Sequence, residues 1–392
     1  MSDPFACAAT VRLHAGREIP LRRGHPWVYR RAVVGELPDG FGPLVVEAAD
    51  RTRLGVALPC ASGGSLALRM VAFGDEAWSA ETARARLGRA IALRRQLAID
   101  SDAMRVVHAE GDGFPGLVVD RYAEVAVLEP YEPAWEPYLG GIGEEARAGL
   151  GCSTVIVRPA WGDDRRARAL IGPLPAAPLV VREGTYRLPV DVVRGQKTGL
   201  FLDQRDNRRR LGEVARGAEV LNLFSFSAAF SLAALAGGAR RAVNVDASAE
   251  ALGLARQAYA LNGLAVADGD FVRGDAFRVA REMAATGARF DVVVVDPPAF
   301  VKRRTELDGG LRGYRDINLQ AMKLVRPGGL LLTCSCSALV DEQAFARVLL
   351  AASVDAGRAV RVLEKRGAAP DHPVALAVPE MRHLKAWLCA LD

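Results

Sequence analysis

A chain of 392 residues is too long for one ordinary hydrophobic core, so its length predicts two or three domains. Half of the residues are hydrophobic, yet no run of ~18 apolar residues and no signal peptide is visible, which excludes a membrane-spanning helix and predicts a soluble cytoplasmic protein. The net charge is +5 and arginine far outnumbers lysine, which gives mild support to a polyanionic partner because guanidinium groups suit phosphate.

Short apolar runs broken by Gly and Pro fill residues 10–75, a spacing typical of a small β-barrel or sandwich. Near the start of this segment, arginines are interleaved with His25, Trp27 and Tyr29. Positive charge beside aromatic faces is what RNA binding needs, although a solvated edge with one buried tryptophan is an equal alternative. The candidate RNA-binding residues here are Arg22, Arg23, Trp27 and Arg30.

A small α+β domain is predicted for residues 76–192. Helical periodicity over residues 78–100 predicts a connecting helix. A Gly/Pro turn and two strands are predicted for VVHAEGDGFPGLVVDRYAEVAVLEP, and the prolines of EPYEPAWEPYL predict a loop. A helix in EEARAGLG and strands in STVIVRP and TYRLPVDVV complete this domain.

Strands and helices alternate from about residue 195, which predicts a doubly wound α/β domain over residues 193–392. In such a sheet, ligands bind beyond the carboxyl ends of the strands. The candidate cofactor residues are therefore those that follow each predicted strand: Asn222, Phe224, Ser225, Asp246, Asp275, Ala276 and Asp296.

An acidic residue at the end of a strand more often caps a helix, but polar strand ends that recur in order are a stronger signal. Asp246 is suited to accept both ribose hydroxyls of a nucleoside, and Asp275 to accept from an adenine amine. The first loop lacks the third glycine that a pyrophosphate requires. An adenosine without phosphates fits better, so S-adenosylmethionine is the predicted cofactor.

Two cysteines stand two positions apart in PGGLLLTCSCSAL (327–339), at the end of a predicted buried strand. Residues i and i+2 of a strand face the same side, so Cys334 and Cys336 are expected to point together. A disulfide in the reducing cytosol and a zinc site without clustered histidines are both poorly supported, so no metal is expected. Core packing and a reactive thiol both remain open.

Several motifs together resemble one enzyme family. GQKTGLFLDQRDNR (195–208) is the most specific, and GDGFPGLVVDRY, VLNLFSFSAAFS, FDVVVVDPPAF, GYRDIN, SCS and DHPV also match. With these motifs the chain resembles, nearly end to end, the bacterial PUA-domain-containing class I methyltransferases that methylate C5 of cytosine in 23S ribosomal RNA. The resemblance implies a PUA-like RNA-binding β-barrel at 1–75, a linker helix and central α+β domain at 76–192, and a Rossmann-like methyltransferase domain at 193–392.

The resemblance also implies a cofactor and partners. The substrate would be 23S ribosomal RNA or an assembling large subunit, with S-adenosylmethionine as methyl donor and a homodimer left open. Gln204 and Arg205 of the signature would bind near the methionine end of the cofactor. Independently of the resemblance, the basic and Gly-containing residues 302–315 predict a mobile loop that binds the RNA substrate, with a solvated surface loop as the alternative. Its candidates are Lys302, Arg303 and Arg304.

By the same resemblance, Cys336 would be the nucleophile of a covalent mechanism. C5 of cytosine is too weak a nucleophile to take a methyl group unaided, and a thiolate added to C6 makes it enamine-like. Asp296 would contact N3 and N4 of the base, or merely cap its loop. Cys334 would pack in the core, and Pro298 replaces the second cysteine that helps related RNA enzymes to release product.

Other functions remain open from the sequence. An enzyme that methylates an exocyclic amine would also use a DPP motif, although here Ala299 separates the prolines from Phe300. Such enzymes need no thiol, and neither does a guanine-N7 methyltransferase. A non-catalytic RNA-binding assembly factor is the third alternative, but it leaves Cys336 unexplained.

Overall fold

The computed structural model describes residues 3–61, 64–162, 165–195 and 197–392, so Gln196 of the 195–208 signature lies outside the described residues. The strands are β1 (Ala9–Arg12), β2 (Trp27–Tyr29), β3 (Leu44–Glu47), β4 (Arg53–Pro59), β5 (Leu66–Phe73), β6 (Ala103–His108), β7 (Leu117–Tyr122), β8 (Val125–Pro130), β9 (Thr154–Val157), β10 (Arg168–Ile171), β11 (Leu179–Glu183), β12 (Tyr186–Val190), β13 (Glu219–Leu223), β14 (Arg241–Asp246), β15 (Phe271–Arg273), β16 (Phe290–Val295), β17 (Val325–Ser335), β18 (Val360–Arg366) and β19 (Lys385–Leu391). The α-helices are α1 (Ile19–Arg22), α2 (Ala80–Gln96), α3 (Glu136–Leu150), α4 (Arg205–Val214), α5 (Ala229–Ala236), α6 (Ala249–Leu261), α7 (Ala276–Ala285), α8 (Leu307–Leu324) and α9 (Glu342–Ala356). Within these described ranges, no helix combines the length and apolar character needed to cross a membrane.

Two compact units are present, and each is built from several stretches of chain. The first unit comprises Met1–Leu179, Val190–Leu200 and Pro370–Met381. The second unit comprises Val180–Pro189, Phe201–Ala369 and Arg382–Asp392. The two units are therefore interleaved along the sequence, and the division into three domains stays a prediction.

The N-terminal sheet of the first unit has the strand order β1-β3-β4-β5-β2. Its inward side chains share one core, among them Val28, Val46 and Met70. The predicted series of short strands is confirmed. A closed barrel is not found: among the described residues the strand order leaves β1 and β2 as edges, with an isolated bridge between Leu13 and Val33 just beyond them.

The second sheet of the first unit has the order β10-β9-β8-β7-β6, and α2 and α3 pack against it. Ser79 caps α2 by accepting the N–H of Thr82 at 3.1 Å, and this helix confirms the prediction for residues 78–100. The loop predicted for EPYEPAWEPYL is wrong over its last four residues, because α3 begins at Glu136. Pro137 lies in the first turn of α3, where the missing N–H breaks no helical hydrogen bond.

A seven-stranded sheet forms the centre of the second unit, in the order β15-β14-β13-β16-β17-β19-β18. Its first five strands are parallel, and β19 is antiparallel to both of its neighbours. The run of four valines at 292–295 is apolar throughout because α7, α8 and α9 cover one face of the sheet while α4 and α5 cover the other. The predicted doubly wound α/β domain is confirmed.

A buried ion pair joins α4 to the β11–β12 hairpin within the second unit. The Arg208 guanidinium donates to both carboxylate oxygens of Glu183, at 2.7 and 2.6 Å, and to the Phe201 carbonyl at 2.8 Å. Tyr186 donates to the same carboxylate. Arg208 is 1% exposed and Glu183 4%. Burial alone would lower the pKa of Arg208, but the Glu183 carboxylate raises it above its ordinary value.

Candidate functional site

The parallel strands of the second unit end at one level. The register pairs Leu223 with both Val245 and Val295, and Val295 with Thr333. Residues that follow these strands therefore share one edge of the sheet, where a doubly wound fold binds its ligands. The structure brings to this edge the predicted strand-end residues, namely Asn222, Phe224, Ser225, Asp246, Asp275, Ala276 and Asp296.

The loop that follows β13 is strained. Phe224, Phe226 and Ala228 have φ angles of 59°, 46° and 61°, in the left-handed region that residues other than glycine seldom adopt. Each such residue costs on the order of 1–3 kcal/mol, and strain of this kind concentrates at functional sites. The loop backbone is thus held in a shape that its own residues do not favour.

Asp246, the last residue of β14, holds this loop in place. One carboxylate oxygen accepts the N–H of Phe226 at 2.8 Å, and the other accepts the N–H of Ser248 at 2.9 Å. A carboxylate has about four acceptor positions, so both oxygens can still accept from ribose hydroxyls. The residue combines a structural contact with the acceptor capacity that its predicted role requires.

Asp275 caps α7, as the alternative to cofactor binding supposes. Its Oδ1 accepts the N–H of Arg278 at 2.9 Å, and the residue is exposed. The cap uses one of its two carboxylate oxygens. Ala276, the first residue of α7, is buried.

Several buried polar atoms beside this edge lack a hydrogen-bond partner among the described residues: Asn222 Oδ1, Ser225 Oγ and Ser227 Oγ. The Asn222 amide nitrogen is engaged, because it donates to Ser231 Oγ at 3.0 Å. A buried polar atom without a partner costs about 1–3 kcal/mol, which a polar ligand can offset. These hydroxyl and amide groups, together with the Asp246 carboxylate, fit the hydroxyl-rich and amine-bearing surface of S-adenosylmethionine.

The signature residue Gln204 lies against Asp296. Its amide nitrogen donates to Asp296 Oδ1 at 2.9 Å, and its amide oxygen accepts from Asn207 Nδ2 at 2.6 Å. Asn207 Oδ1 in turn accepts from Arg366 at 3.0 Å, which fixes the orientation of both amides. A predicted cofactor residue is therefore a direct neighbour of the predicted catalytic carboxylate. Arg205, the other signature candidate, is buried at the start of α4.

The two cysteines occupy different environments. Cys334 is fully buried in the core beside Leu332 and Ala386. Burial, and after it the charge of Asp296, raises the pKa of the Cys334 thiol well above its ordinary value. β17 ends at Ser335, so strand alternation does not fix the direction of Cys336, and a shared face for the two cysteines stays a prediction.

Cys336 lies just beyond the end of β17 and is half-buried. Its thiol donates to the Pro297 carbonyl at 3.8 Å, which places the sulfur beside the Asp-Pro-Pro motif that follows β16. Pro298 is exposed at the next position. Of the two cysteines, the accessible one, Cys336, therefore lies beside the loop that carries Asp296, the candidate base-binding carboxylate.

Lys385 is a site residue that the motif analysis missed. The side chain is 4% exposed, and its ammonium donates to the carbonyls of Ser337 and His383 at 2.7 and 2.8 Å. Burial lowers the pKa of Lys385 to about 8. A lone lysine at the head of the apolar strand KAWLCAL was the available signal, because a buried lysine needs partners.

Tyr314 is a second missed residue. Its hydroxyl bonds to Ser337 Oγ at 2.9 Å, and that oxygen also accepts the N–H of Val301 at 3.1 Å. The basic loop predicted up to Arg315 is wrong beyond residue 306, because α8 begins at Leu307 and carries Tyr314 into the core.

The candidate RNA-binding residues lie in both units. In the first unit Trp27 is half-buried and anchored, since its indole N–H donates to Glu110 at 2.8 Å and the Arg69 guanidinium lies 5.9 Å from its ring centre. The basic candidates are all exposed: Arg22, Arg23 and Arg30 in the first unit, and Lys302, Arg303 and Arg304 in the second. Exposed guanidinium and ammonium groups are available to phosphate.

Two known proteins match this chain nearly end to end. A protein from Shewanella denitrificans named ribosomal RNA large subunit methyltransferase I is 37% identical, over 96% of this chain and 98% of its own. A protein of the same name from Vibrio cholerae is 36% identical, over 97% of this chain and 98% of its own.

Solved structures share the fold. A protein from Streptococcus mutans, described as a SAM-dependent methyltransferase, has a TM-score of 0.85 at 21% identity, over 97% of this chain and 100% of its own. A methyltransferase complexed with SAH has a TM-score of 0.86 at 20% identity over the same shares of the two chains.

A sequence profile of S-adenosylmethionine-dependent methyltransferases matches residues 156–387. This range contains the seven-stranded sheet up to β19, the strained loop and both cysteines. The profile covers more than half of the chain, and the relatives match it nearly end to end. The chain therefore belongs to the S-adenosylmethionine-dependent methyltransferase family, and S-adenosylmethionine is its cofactor.

Proposed function

We propose that the protein methylates C5 of a cytosine in 23S ribosomal RNA through a covalent adduct between Cys336 and C6 of the base. The observation that carries the proposal is the position of the Cys336 thiol, accessible beyond β17 and 3.8 Å from the carbonyl of Pro297. The relatives named ribosomal RNA large subunit methyltransferase I support an RNA substrate of the large subunit. Such a substrate places the activity in the cytoplasm.

The chemistry needs a nucleophile above the face of the base at C6 and an acid–base group in the plane of the base at N3 and N4. The Cys336 thiolate adds to C6, and C5 becomes nucleophilic enough to take a methyl group. Asp296, whose Oδ1 accepts from the Gln204 amide at 2.9 Å, acts in its protonated carboxylic acid form: it gives a proton to N3, which takes up the electron pair displaced from the C5–C6 double bond, and it accepts from the N4 amine. S-adenosylmethionine supplies an electrophilic methyl group. C5 then loses its proton to water, the C5–C6 double bond re-forms as the bond between sulfur and C6 breaks, N3 returns its proton to Asp296, and the thiolate is restored.

The amine-methylating alternative has less support from the geometry. Such an enzyme would use an aromatic ring after the prolines to hold the amine, but the Phe300 ring packs 4.6 Å from the Tyr314 ring and 6.3 Å from the Phe224 ring, centre to centre. It would also leave the accessible thiol without a role.

Identification of the methylated nucleoside tests the proposal. The protein is incubated with methyl-labelled S-adenosylmethionine and unmodified 23S ribosomal RNA, either naked or in assembling subunits, and the RNA is digested to nucleosides. We expect label in 5-methylcytidine. Label in an N-methylated base would favour the amine or guanine-N7 alternative, and RNA binding without label would favour an assembly factor.

Substitution of the strand-end acids tests the cofactor site that we propose. Asp246→Ala should weaken binding of S-adenosylmethionine by roughly 1–3 kcal/mol, since it removes charge-assisted hydrogen bonds to ribose. Asp275→Ser keeps a side-chain cap for α7 but removes the carboxylate, so any loss of affinity reports the adenine contact and not the helix. Isothermal titration calorimetry measures both. Unchanged affinity in the two variants would refute this placement.

The N-terminal residues 1–75 are proposed to act as a PUA-like RNA-binding domain. Reversal of the exposed charges at Arg22, Arg23 and Arg30 to glutamate should reduce affinity for ribosomal RNA fragments. Each lost phosphate contact should also reduce the slope of log affinity against log salt by ~0.7–0.9. Arg89→Glu, an exposed arginine on α2 in the same unit, is the control. A salt slope equal to that of the wild type in all variants would remove this surface from the RNA interface.

A further inference from the structure

We infer that Lys385 is the positioning residue that holds Cys336 in its reactive thiolate form. The inference rests on the proposed function, in which that thiolate attacks C6 of the base. Lys385 belongs to none of the motifs that carry the family resemblance. It lies at the start of β19, beside the end of β17.

Strand pairing sets the lysine beside the nucleophile. β19 runs antiparallel to β17, and Lys385 at the start of β19 pairs with Ser335 at the end of β17. The chain then leaves the strand through Cys336 and Ser337. The Lys385 ammonium follows it, because it donates to the Ser337 carbonyl at 2.7 Å as well as to the His383 carbonyl at 2.8 Å. Cys336 is thus the residue between the strand partner of Lys385 and its hydrogen-bond acceptor.

The carbonyls satisfy two N–H groups of the ammonium but not its charge. A cation that is 4% exposed has lost most of its hydration, and an isolated buried charge is strongly disfavoured. Burial lowers the pKa of Lys385 to about 8, and the acidic group that counters this effect most is Cys336. The lysine therefore stays protonated at pH 7, where its charge can favour the thiolate over the thiol.

Other titratable groups around this pair are weaker partners for the ammonium. Asp341 and Glu342, at the start of α9, are both exposed, and Asp341 already caps α9 through the N–H of Ala344 at 2.7 Å. Tyr314 on α8 and Cys334 on β17 also interact with Cys336, and both are fully buried. The Cys336 thiolate, on a half-buried residue, is therefore the counter-ion that we infer for the buried Lys385 ammonium.

Peptide-resolved alkylation of the full-length protein tests the inference without reference to methyl transfer. The rate of iodoacetamide modification is followed against pH for the peptide that contains Cys336 and, as an internal reference, for exposed Cys7. In the wild type, we expect the midpoint for Cys336 to lie at least about one pH unit below that for Cys7, a tenfold larger thiolate fraction at neutral pH.

Lys385→Gln keeps a hydrogen-bond donor for the carbonyls and removes the charge. It should move the Cys336 midpoint upward by about one pH unit or more and leave that of Cys7 unchanged. Lys323→Gln, at an exposed position on α8, should change neither midpoint. A merely structural lysine would leave the Cys336 midpoint where it was, so an unchanged midpoint in Lys385→Gln overturns the inference.

The wild-type profile decides the matter if the variant fails to fold. A Cys336 midpoint at or above that of Cys7 overturns the inference by itself. Trapping of the wild type on RNA that contains 5-fluorocytosine tests the proposed function separately. Trapping without a lowered midpoint rejects Lys385 alone, and a lowered, Lys385-dependent midpoint without trapping supports the pair while rejecting the covalent mechanism.

Discussion

Replacement of Cys336 by alanine is expected to abolish methyl transfer while S-adenosylmethionine and RNA still bind. Loss of a covalent nucleophile lowers the rate by roughly 10⁴-fold or more in other enzymes, because no other group takes its place. The thiol donates to the Pro297 carbonyl at 3.8 Å and lies beyond β17, outside the strand-end residues proposed to hold the cofactor, so its removal should disturb the cofactor edge little. Transfer of labelled methyl groups to RNA and calorimetric titration with the cofactor measure the two effects.

Cys334→Ala is the matched control for this variant. Cys334 is fully buried beside Leu332 and Ala386, and we expect its truncation to cost about 1 kcal/mol of stability while most of the activity remains. The two substitutions remove the same atom two residues apart. A difference between them therefore reports position and not the loss of a thiol as such.

RNA with 5-fluorocytosine at the target separates the outcomes further. Fluorine at C5 cannot leave as a proton does, so the adduct between sulfur and C6 persists. The wild type and Cys334→Ala should be trapped on this RNA, and Cys336→Ala should not. Trapping of Cys336→Ala would show that the other thiol is the nucleophile. A wild type that methylates cytosine but is never trapped would contradict the covalent mechanism.

Arg208→Met is expected to destabilise the second unit by about 3–5 kcal/mol, because it leaves the Glu183 carboxylate buried without a cation. Urea unfolding followed by circular dichroism measures the change. Arg209→Met, the next residue on α4, is the control; Arg209 is 68% exposed in its side chain and should matter by less than ~1 kcal/mol.

A double variant isolates the pair. Arg208→Met combined with Glu183→Met should be more stable than Arg208→Met alone, because no unpaired charge remains in the core. If Arg208→Met unfolds at the same urea concentration as Arg209→Met, the pair is not buried in solution as described. If the double variant is the least stable of all, the pair itself contributes net stability.

The seven-stranded sheet was predictable because parallel strands that are buried on both faces appear in the sequence as short apolar runs. The four valines at 292–295 form an apolar run without alternation, and the polar residue that ends such a run marks the ligand edge. Asp246 and Asp296 were found in this way. Their actual hydrogen bonds, to Phe226 and to Gln204, were not predictable, because they depend on how distant segments meet.

Other errors have a common physical cause. The prolines of EPYEPAWEPYL predict a loop, yet Pro137 lies in the first turn of α3, the one place where a helix accepts proline. The charged residues around Tyr314 predict a basic loop, but α8 turns those charged neighbours outward and buries the ring. Both cases needed helical phase, which composition alone does not provide.

The order of the strands carries a consequence for synthesis of the chain. β19 follows β18 in sequence but lies between β17 and β18 in the sheet. A growing polypeptide therefore presents an open edge on β17 until residues 385–391 have been made and inserted. The same strand delivers Lys385. Until β19 is inserted, the Cys336 thiol lacks the Lys385 charge that we infer to favour its thiolate. A nascent chain should therefore be unreactive toward the ribosomal RNA around it.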